Sequence, residues 1–259
     1  MHLCHLLLTR FNIQYESDDV RGLQPAWLEE RIRLFKEYCL PSVLHQTCRD
    51  FIWILVGDIR TPNPYKQRVE HFASVMPQIR VIWWPFDADD EDYHIPYKNL
   101  GGIYAEGKDA LITSRLDSDD ALPANYIERV QKVAQSGVEG IVSFPVGKQT
   151  FVRDNKSYRV HYVPNHFTSR IERSGFETIM AYNHALLEDA QFHIVETEEP
   201  MWEEIVHGGN VSNDYVPKYR YHITGLSDIC DLSKRWVLFQ TSRLMRLRKR
   251  LFVAPDKAH

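Results

Sequence analysis

The segment Leu111-Ile112-Thr113-Ser114-Arg115-Leu116-Asp117-Ser118-Asp119-Asp120-Ala121-Leu122 is an apolar, β-prone run that ends in three carboxylates spaced D-x-D-D. Two carboxylates separated by one residue can share a hard divalent cation, which prefers oxygen ligands and substrate phosphates. The chemistry to expect is the handling of a nucleotide diphosphate. A solvated loop whose acids cap the next helix would have the same spelling, because Asp stabilises a helix start through its side chain and the helix dipole. Context separates the two readings. A buried strand that delivers acids to its C-terminal tip is how an open α/β sheet builds a site in the crevice beyond its strands.

The elements around the acids supply that context. Leu3 to Leu8 reads as a first strand that ends at the polar turn Thr9-Arg10-Phe11-Asn12. Pro25 opens a helix with apolar positions Leu28, Ile32, Phe35 and Cys39, expected to stop at Leu40-Pro41. Phe51 to Val56 is a continuous apolar run ended by Gly57-Asp58, as suits a parallel strand covered on both faces. A helix from Tyr65 to Val75, a strand from Arg80 to Trp84 and a helix from Leu100 to Lys108 lead into the acidic strand. A helix from Pro123 to Gln135 and a strand from Gly140 to Pro145 follow it. This alternation predicts an α/β fold with an open, mostly parallel sheet flanked by helices. After Val146 a hairpin is expected from Thr150–Val152 and Tyr158–Val163, then loop-rich segments and a basic helix from Leu232 to Phe252. With no internal repeat or low-complexity linker, one domain over 1–259 is expected. Within it, 1–145 forms a nucleotide-binding half, 146–225 an acceptor-side half and 226–259 a basic C-terminal helix.

Composition narrows the function. Apolar residues make up 44% of the 259 and aromatics 12%, enough for a packed core. A net charge of −4 argues against a general nucleic-acid binder. Cys4, Cys39, Cys48 and Cys230 form no C-x-x-C pair, so reduced thiols in a cytoplasmic protein are expected rather than zinc or disulfides. The start, Met1 to Leu8, lacks a basic n-region and a long apolar core, against a signal peptide. The acidic loop Asp87–Asp92 lacks the glycine and final Glu of an EF-hand. His161, His166, His184 and His193 show no zinc-hydrolase spacing, and no P-loop, G-x-S-x-G or G-x-G-x-x-G occurs.

The segment Ser114 to Leu122 resembles the D-x-D segment of GT-A glycosyltransferases. Four further segments come in the order found in bacterial putative rhamnosyltransferases: Leu8 to Asn12, Trp27 to Ser42, Phe51 to Pro62 and His207-Gly208-Gly209-Asn210. That resemblance implies a GT-A-like fold and a transferase that moves a sugar, in name rhamnose, from a dTDP-, UDP- or GDP-sugar. The acceptor would be a hydroxyl of a glycan or lipid-linked glycan.

The resemblance also implies roles. Asp119 would bind Mn²⁺ or Mg²⁺, and Asp117 would hold the ribose or the metal's water shell. A cation on both phosphates neutralises charge that builds on the departing nucleoside diphosphate. Asp120 would cap the following helix or pair with a neighbouring cation. Thr9 and Arg10 would cradle the nucleotide, Asp58 would accept a hydrogen bond from the base, and Arg115 would sit against base or phosphate. His207 would add a metal or diphosphate contact, with Gly208 and Gly209 allowing close backbone approach. Glu203 or Glu204, at an expected helix start, would take the acceptor proton.

Two other classes fit parts of the pattern. A sugar-phosphate nucleotidyltransferase would share the sheet, but Leu8 to Ser17 lacks its Gly-rich loop. A carbohydrate-binding or scaffold module would use the acids only as caps. Lys234, Arg235, Arg243, Arg246, Arg248, Lys249 and Arg250, with Trp236, Leu244, Leu247 and Leu251, suit a basic amphipathic helix. Such a helix can lie on the inner face of an anionic membrane or pack on the domain.

Overall fold

The computed structural model describes residues 1–13, 20–85, 95–153, 155–163, 165–181 and 192–210. The acidic loop Asp87–Asp92 and the basic segment Leu232–Phe252 lie outside them.

Strand β1 (Leu3–Arg10) lies between β2 (Ile52–Asp58) and β4 (Ala110–Arg115), parallel to both, and β3 (Ile79–Trp84) adds to β2. Their side chains alternate between two apolar layers. Leu7, Trp53 and Leu55 join the first core, with Ile32, Phe35 and Phe72. Leu6, Leu8, Ile54 and Val56 join the second, with Tyr97 and Leu100. This two-sided burial explains why β1 and β2 read as near-continuous apolar runs. Helices α1 (Pro25–Leu34), α3 (Asn63–Val75) and α5 (Tyr126–Gln135) bury residues in the first layer. Helix α4 (Ile95–Ala105) serves the second.

After β5 (Gly140–Ser143), the hairpin strands β6 (Val146–Phe151) and β7 (Lys156–His161) leave the main sheet. Strand β10 (Glu203–Val206) pairs parallel to β6 and completes a three-stranded sheet in the order β10-β6-β7. Two later strands, β8 (Ser169–Glu172) and β9 (Phe192–Ile194), return to the main sheet, whose order is β3-β2-β1-β4-β8-β5-β9. Strand β8 runs antiparallel to β4 and β5, and the other paired neighbours are parallel. The result is the expected open, mostly parallel α/β sheet flanked by helices.

The strand order locates the crevice. From β1 the chain moves outward through β2 and β3, then crosses back to place β4 on the other side of β1. The order therefore reverses between β1 and β4, and ligands of open α/β sheets bind beyond the strand ends at such a point. Arg10 ends β1 there, and Arg115-Leu116-Asp117 leave β4 there.

Three expectations need correction. The first helix does not stop at Leu40-Pro41: a π turn, Phe35–Cys39, carries it into α2 (Leu40–Leu44). Leu40 N–H bonds the Phe35 carbonyl five residues back. The wider turn relaxes the four-residue ladder that a proline ring would break. The helix after the acids begins at Tyr126, not Pro123. Gln46 Nε2 donates to the Pro123 carbonyl at 2.7 Å and Thr47 N–H to that of Ala124, also at 2.7 Å, which holds the entry as a turn. Glu203 and Glu204 lie in strand β10, not at a helix start. Ile205-Val206 favour extended chain, and the bridge from Ala121 to Glu203 extends the pairing on the other side.

Candidate active site

The loop after β4 is held from below. Leu116 N–H bonds the Leu8 carbonyl at 3.1 Å, and the Cys39 thiol on the π turn lies 3.7 Å from the Asp117 carbonyl oxygen. The three acids then diverge. Asp117 is the most open, its side chain 32% exposed, with Arg10 Nη2 3.8 Å from Oδ1. That contact spans the reversal point between β1 and β4.

Asp119 turns inward, its side chain 9% exposed, and both oxygens are engaged. Arg31 Nη1 donates to Oδ1 at 2.7 Å, and His207 Nε2 lies 3.0 Å from Oδ2. Burial alone would raise this carboxyl's pKa. The His207 hydrogen bond and the Arg31 charge outweigh it and hold Asp119 below the ordinary value.

Asp120 is buried and does not cap α5, whose N-cap is Asn125. Its Oδ1 accepts the Ile205 N–H at 2.8 Å, and His166 Nε2 lies 3.0 Å from Oδ2. The acid thus ties the D-x-D-D loop to β10. Burial disfavours the charged form of both partners: it pushes Asp120 up and opposes the His166 imidazolium. At His166 the hydrogen bond to Asp120 and the carboxylates of Asp120, Glu204 and Asp117 prevail, and its pKa rises to about 9.

Two Asp–His pairs therefore stand side by side. Asp117, Asp120 and His166 offer one ligand atom each, all within 4.8 Å of one another. Carboxylate oxygens with one imidazole suit Mn²⁺, and carboxylates alone suit Mg²⁺. The donor set fits a divalent cation.

The remaining expected residues are placed as follows. Thr9 is fully buried, and its Oγ1 accepts the Trp53 indole N–H at 2.9 Å, so its side chain faces the core. Asp58 is buried and paired with Arg60 Nη2 at 2.6 Å. Arg115 is buried, with Nε 3.1 Å from the Met180 sulfur, and its side chain is directed into the interior. Glu203 is partly exposed, with Lys148 Nζ at 2.8 Å and Thr150 Oγ1 bonded to it. Glu204 points to the opposite face of β10, buried beside Gln149.

Sequence reasoning missed Arg31, His166 as a partner of Asp120, and Asn12 as an organiser. Asn12 Oδ1 accepts the Asp58 N–H at 3.0 Å, and Nδ2 donates to Thr61 Oγ1 at 2.7 Å and the Gly22 carbonyl at 3.0 Å. It locks three loops at the rim of the crevice. Its position in the polar turn after β1 was the one available signal. An open depression on the outer side of α1, lined by Glu29, Arg33, Lys36, Glu37 and Arg68, includes none of the three acids. Within it Arg68 pairs with Glu29 at 2.6 Å and Arg33 pairs with Glu37.

Comparison with known proteins shows the family. Among solved structures, the chain is similar to S. aureus TarS 1–349 in complex with UDP-GlcNAc, at 13% identity and a TM-score of 0.48. That alignment covers 83% of this chain and 62% of the other. It is also similar to S. aureus TarS at 12% identity and a TM-score of 0.44, over 80% of this chain and 37% of that one. The chain therefore spans about three fifths or less of those proteins. No curated protein matches it. The family model described as putative rhamnosyl transferase matches residues 9–219, from the tip of β1 through His207, and the protein belongs to that family.

Proposed function

We propose that the protein transfers a sugar from a nucleotide-diphosphate donor to an acceptor hydroxyl, with a divalent cation held at the D-x-D-D loop. The observation that carries this reading is the pairing of Asp119 with His207 at 3.0 Å across 88 residues, beside the half-open Asp117 at the sheet's reversal point. Asp117, Asp119 and His207 are the ligands assigned to the cation. Bound there, it supplies charge neutralisation to the departing diphosphate. Arg10 is assigned to the same phosphates, which its approach to Asp117 at the tip of β1 supports. The buried side chains of Thr9 and Arg115 support the crevice rather than contact the base, since each bonds an internal partner, and the Asp58 carboxylate is taken by Arg60 at the surface.

Between the two glutamates, Glu203 is assigned as the proton acceptor. A base must reach the acceptor hydroxyl within hydrogen-bond distance. The Glu203 side chain is 26% exposed, whereas Glu204 is sealed against Gln149. Lys148 Nζ, 2.8 Å away, holds Glu203 in place. Rhamnose as the sugar follows the family's description, and a glycan or lipid-linked acceptor follows the resemblance alone. One domain of two functional halves, acting at the cytoplasmic face of a membrane, completes the proposal. No helix among the described residues is long and apolar enough to cross a membrane.

A second reading takes the cation to Asp117, Asp120 and His166, because those donor atoms already cluster. Calorimetry with UDP, dTDP and GDP, with and without Mn²⁺, tests both. Asp119→Asn should abolish metal-dependent nucleotide binding; if it binds normally and His166→Gln does not, the second set holds the cation. No heat with any nucleotide would contradict both.

A further inference from the structure

Arg31 reaches the D-x-D-D loop from α1, where its neighbours Leu28 and Ile32 are buried and fix the helix face. Its Nη1 lies 2.7 Å from Asp119 Oδ1 and 3.2 Å from Ser118 Oγ. The guanidinium carbon stands 4.6 Å from the centroid of the Trp27 ring, and the side chain is only 11% exposed. The second oxygen of Asp119 is taken by His207. In this arrangement the charge of Asp119 is already compensated by protein.

The two partners of Asp119 differ in what a divalent cation would do to them. Neutral imidazole can become a ligand of the same cation. A guanidinium has no lone pair to offer, stays charged at any physiological pH, and is repelled by the incoming ion. A cation that takes Oδ1 of Asp119 therefore displaces Arg31, and one that enters at Oδ2 beside His207 still meets the guanidinium charge across the carboxylate. Once displaced, its planar fork of donors matches the oxygens of a phosphate.

We infer that Arg31 is a positioning residue that occupies Asp119 in the nucleotide-free protein and exchanges that carboxylate for the donor's diphosphate when the divalent cation enters. The inference rests on the reading of Asp119 as a cation ligand. It makes the two ligands cooperative. The metal alone is opposed by Arg31, while a nucleoside diphosphate gives the guanidinium another anion to bind. By linkage, each ligand then tightens the other by the same factor.

Mn²⁺ binding, followed by the EPR signal of the free ion with and without UDP, dTDP or GDP, reads this directly. Without nucleotide, Arg31→Gln should bind Mn²⁺ roughly tenfold more tightly than the parent protein, the equivalent of one charge-assisted hydrogen bond no longer competing. The enhancement of Mn²⁺ affinity by nucleotide should shrink by about the same factor. Arg31→Met, which keeps the stem against Trp27, should behave like Arg31→Gln. Arg31→Lys, which keeps a cation, should restore weak nucleotide-free binding. Unchanged or weaker Mn²⁺ binding in both neutral variants, while the parent protein binds the ion, would overturn the exchange and leave the metal reading standing. Absence of Mn²⁺ binding in every protein, with or without nucleotide, would refute the metal reading itself.

Discussion

Replacing His5 by Gln should flatten the acid side of the protein's stability curve. His5 is 2% exposed in β1, between β2 and β4. Its Nε2 lies 2.8 Å from Ser114 Oγ, and its Nδ1 is buried with no hydrogen-bond partner. Nothing compensates a positive charge there, and burial lowers its pKa from 6.5 to about 3. The unfolded chain therefore takes up a proton below pH 6.5 that the folded chain refuses until about pH 3. The direction follows: His5 costs nothing above pH 6.5, and its destabilising effect grows as the pH falls toward the folded value. Each pH unit in that window costs about 1.4 kcal/mol, so the loss at pH 5.0 is about 2 kcal/mol. Gln keeps a polar group for Ser114, which Ser169 Oγ also contacts at 2.6 Å, and it does not titrate. Urea unfolding of both proteins from pH 7.5 to pH 5.0 isolates the effect, because every other group cancels in the difference. Parallel stability curves over that range would refute the account and mean that His5 is protonated inside the fold.

Four further outcomes are expected. Asp119→Asn should lower transfer by about 100-fold or more, since it removes charge stabilisation at the departing diphosphate; sugar release from a panel of nucleotide sugars measures it. Glu203→Gln should lower turnover by about 10²- to 10⁴-fold with nucleotide binding retained by calorimetry, and Glu204→Gln should not reproduce that split. Asp120→Asn should drop the His166 pKa from its raised value to 6.5 or below, read from the imidazole resonances in an NMR titration. Gly147→Ala would drive a methyl into the indole of Trp202, which is held by a 2.8 Å bond to the Phe144 carbonyl and stacks on Phe167 at 4.9 Å. Overpacking of that kind costs about 1–3 kcal/mol, visible as a lower melting temperature.

The main sheet was legible because its signal is local. A parallel strand covered on both faces is a near-continuous apolar run, and Leu3–Leu8 (broken only by His5), Phe51–Val56 and Leu111–Ile112 are such runs. The acids were legible for a related reason: a buried run that ends abruptly in D-x-D-D can only place its carboxylates at the strand tip. Element ends were less so. Pro41 reads as a stop, yet the π turn before it absorbs the ring, and that turn depends on Phe35 packing against Phe11, Trp53 and Phe72. Glu203 and Glu204 look like helix-start acids until β6 and Ala121 supply strand partners from far along the chain.

Residue types and their order along the chain were enough to establish an α/β sheet, the position of its acidic tip and the family resemblance, because these depend on apolar periodicity and on motifs a few residues long. The division of labour among the acids needed the folded chain. Asp117 stays half open, Asp119 is clasped by Arg31 and His207, and Asp120 is drawn to His166 and the Ile205 amide. Those partners come from α1, from the stretch before β8 and from the end of β10. Charge and hydrogen bonding act over a few ångströms in space, and only the tertiary packing brings residues 31, 119 and 207 within that reach.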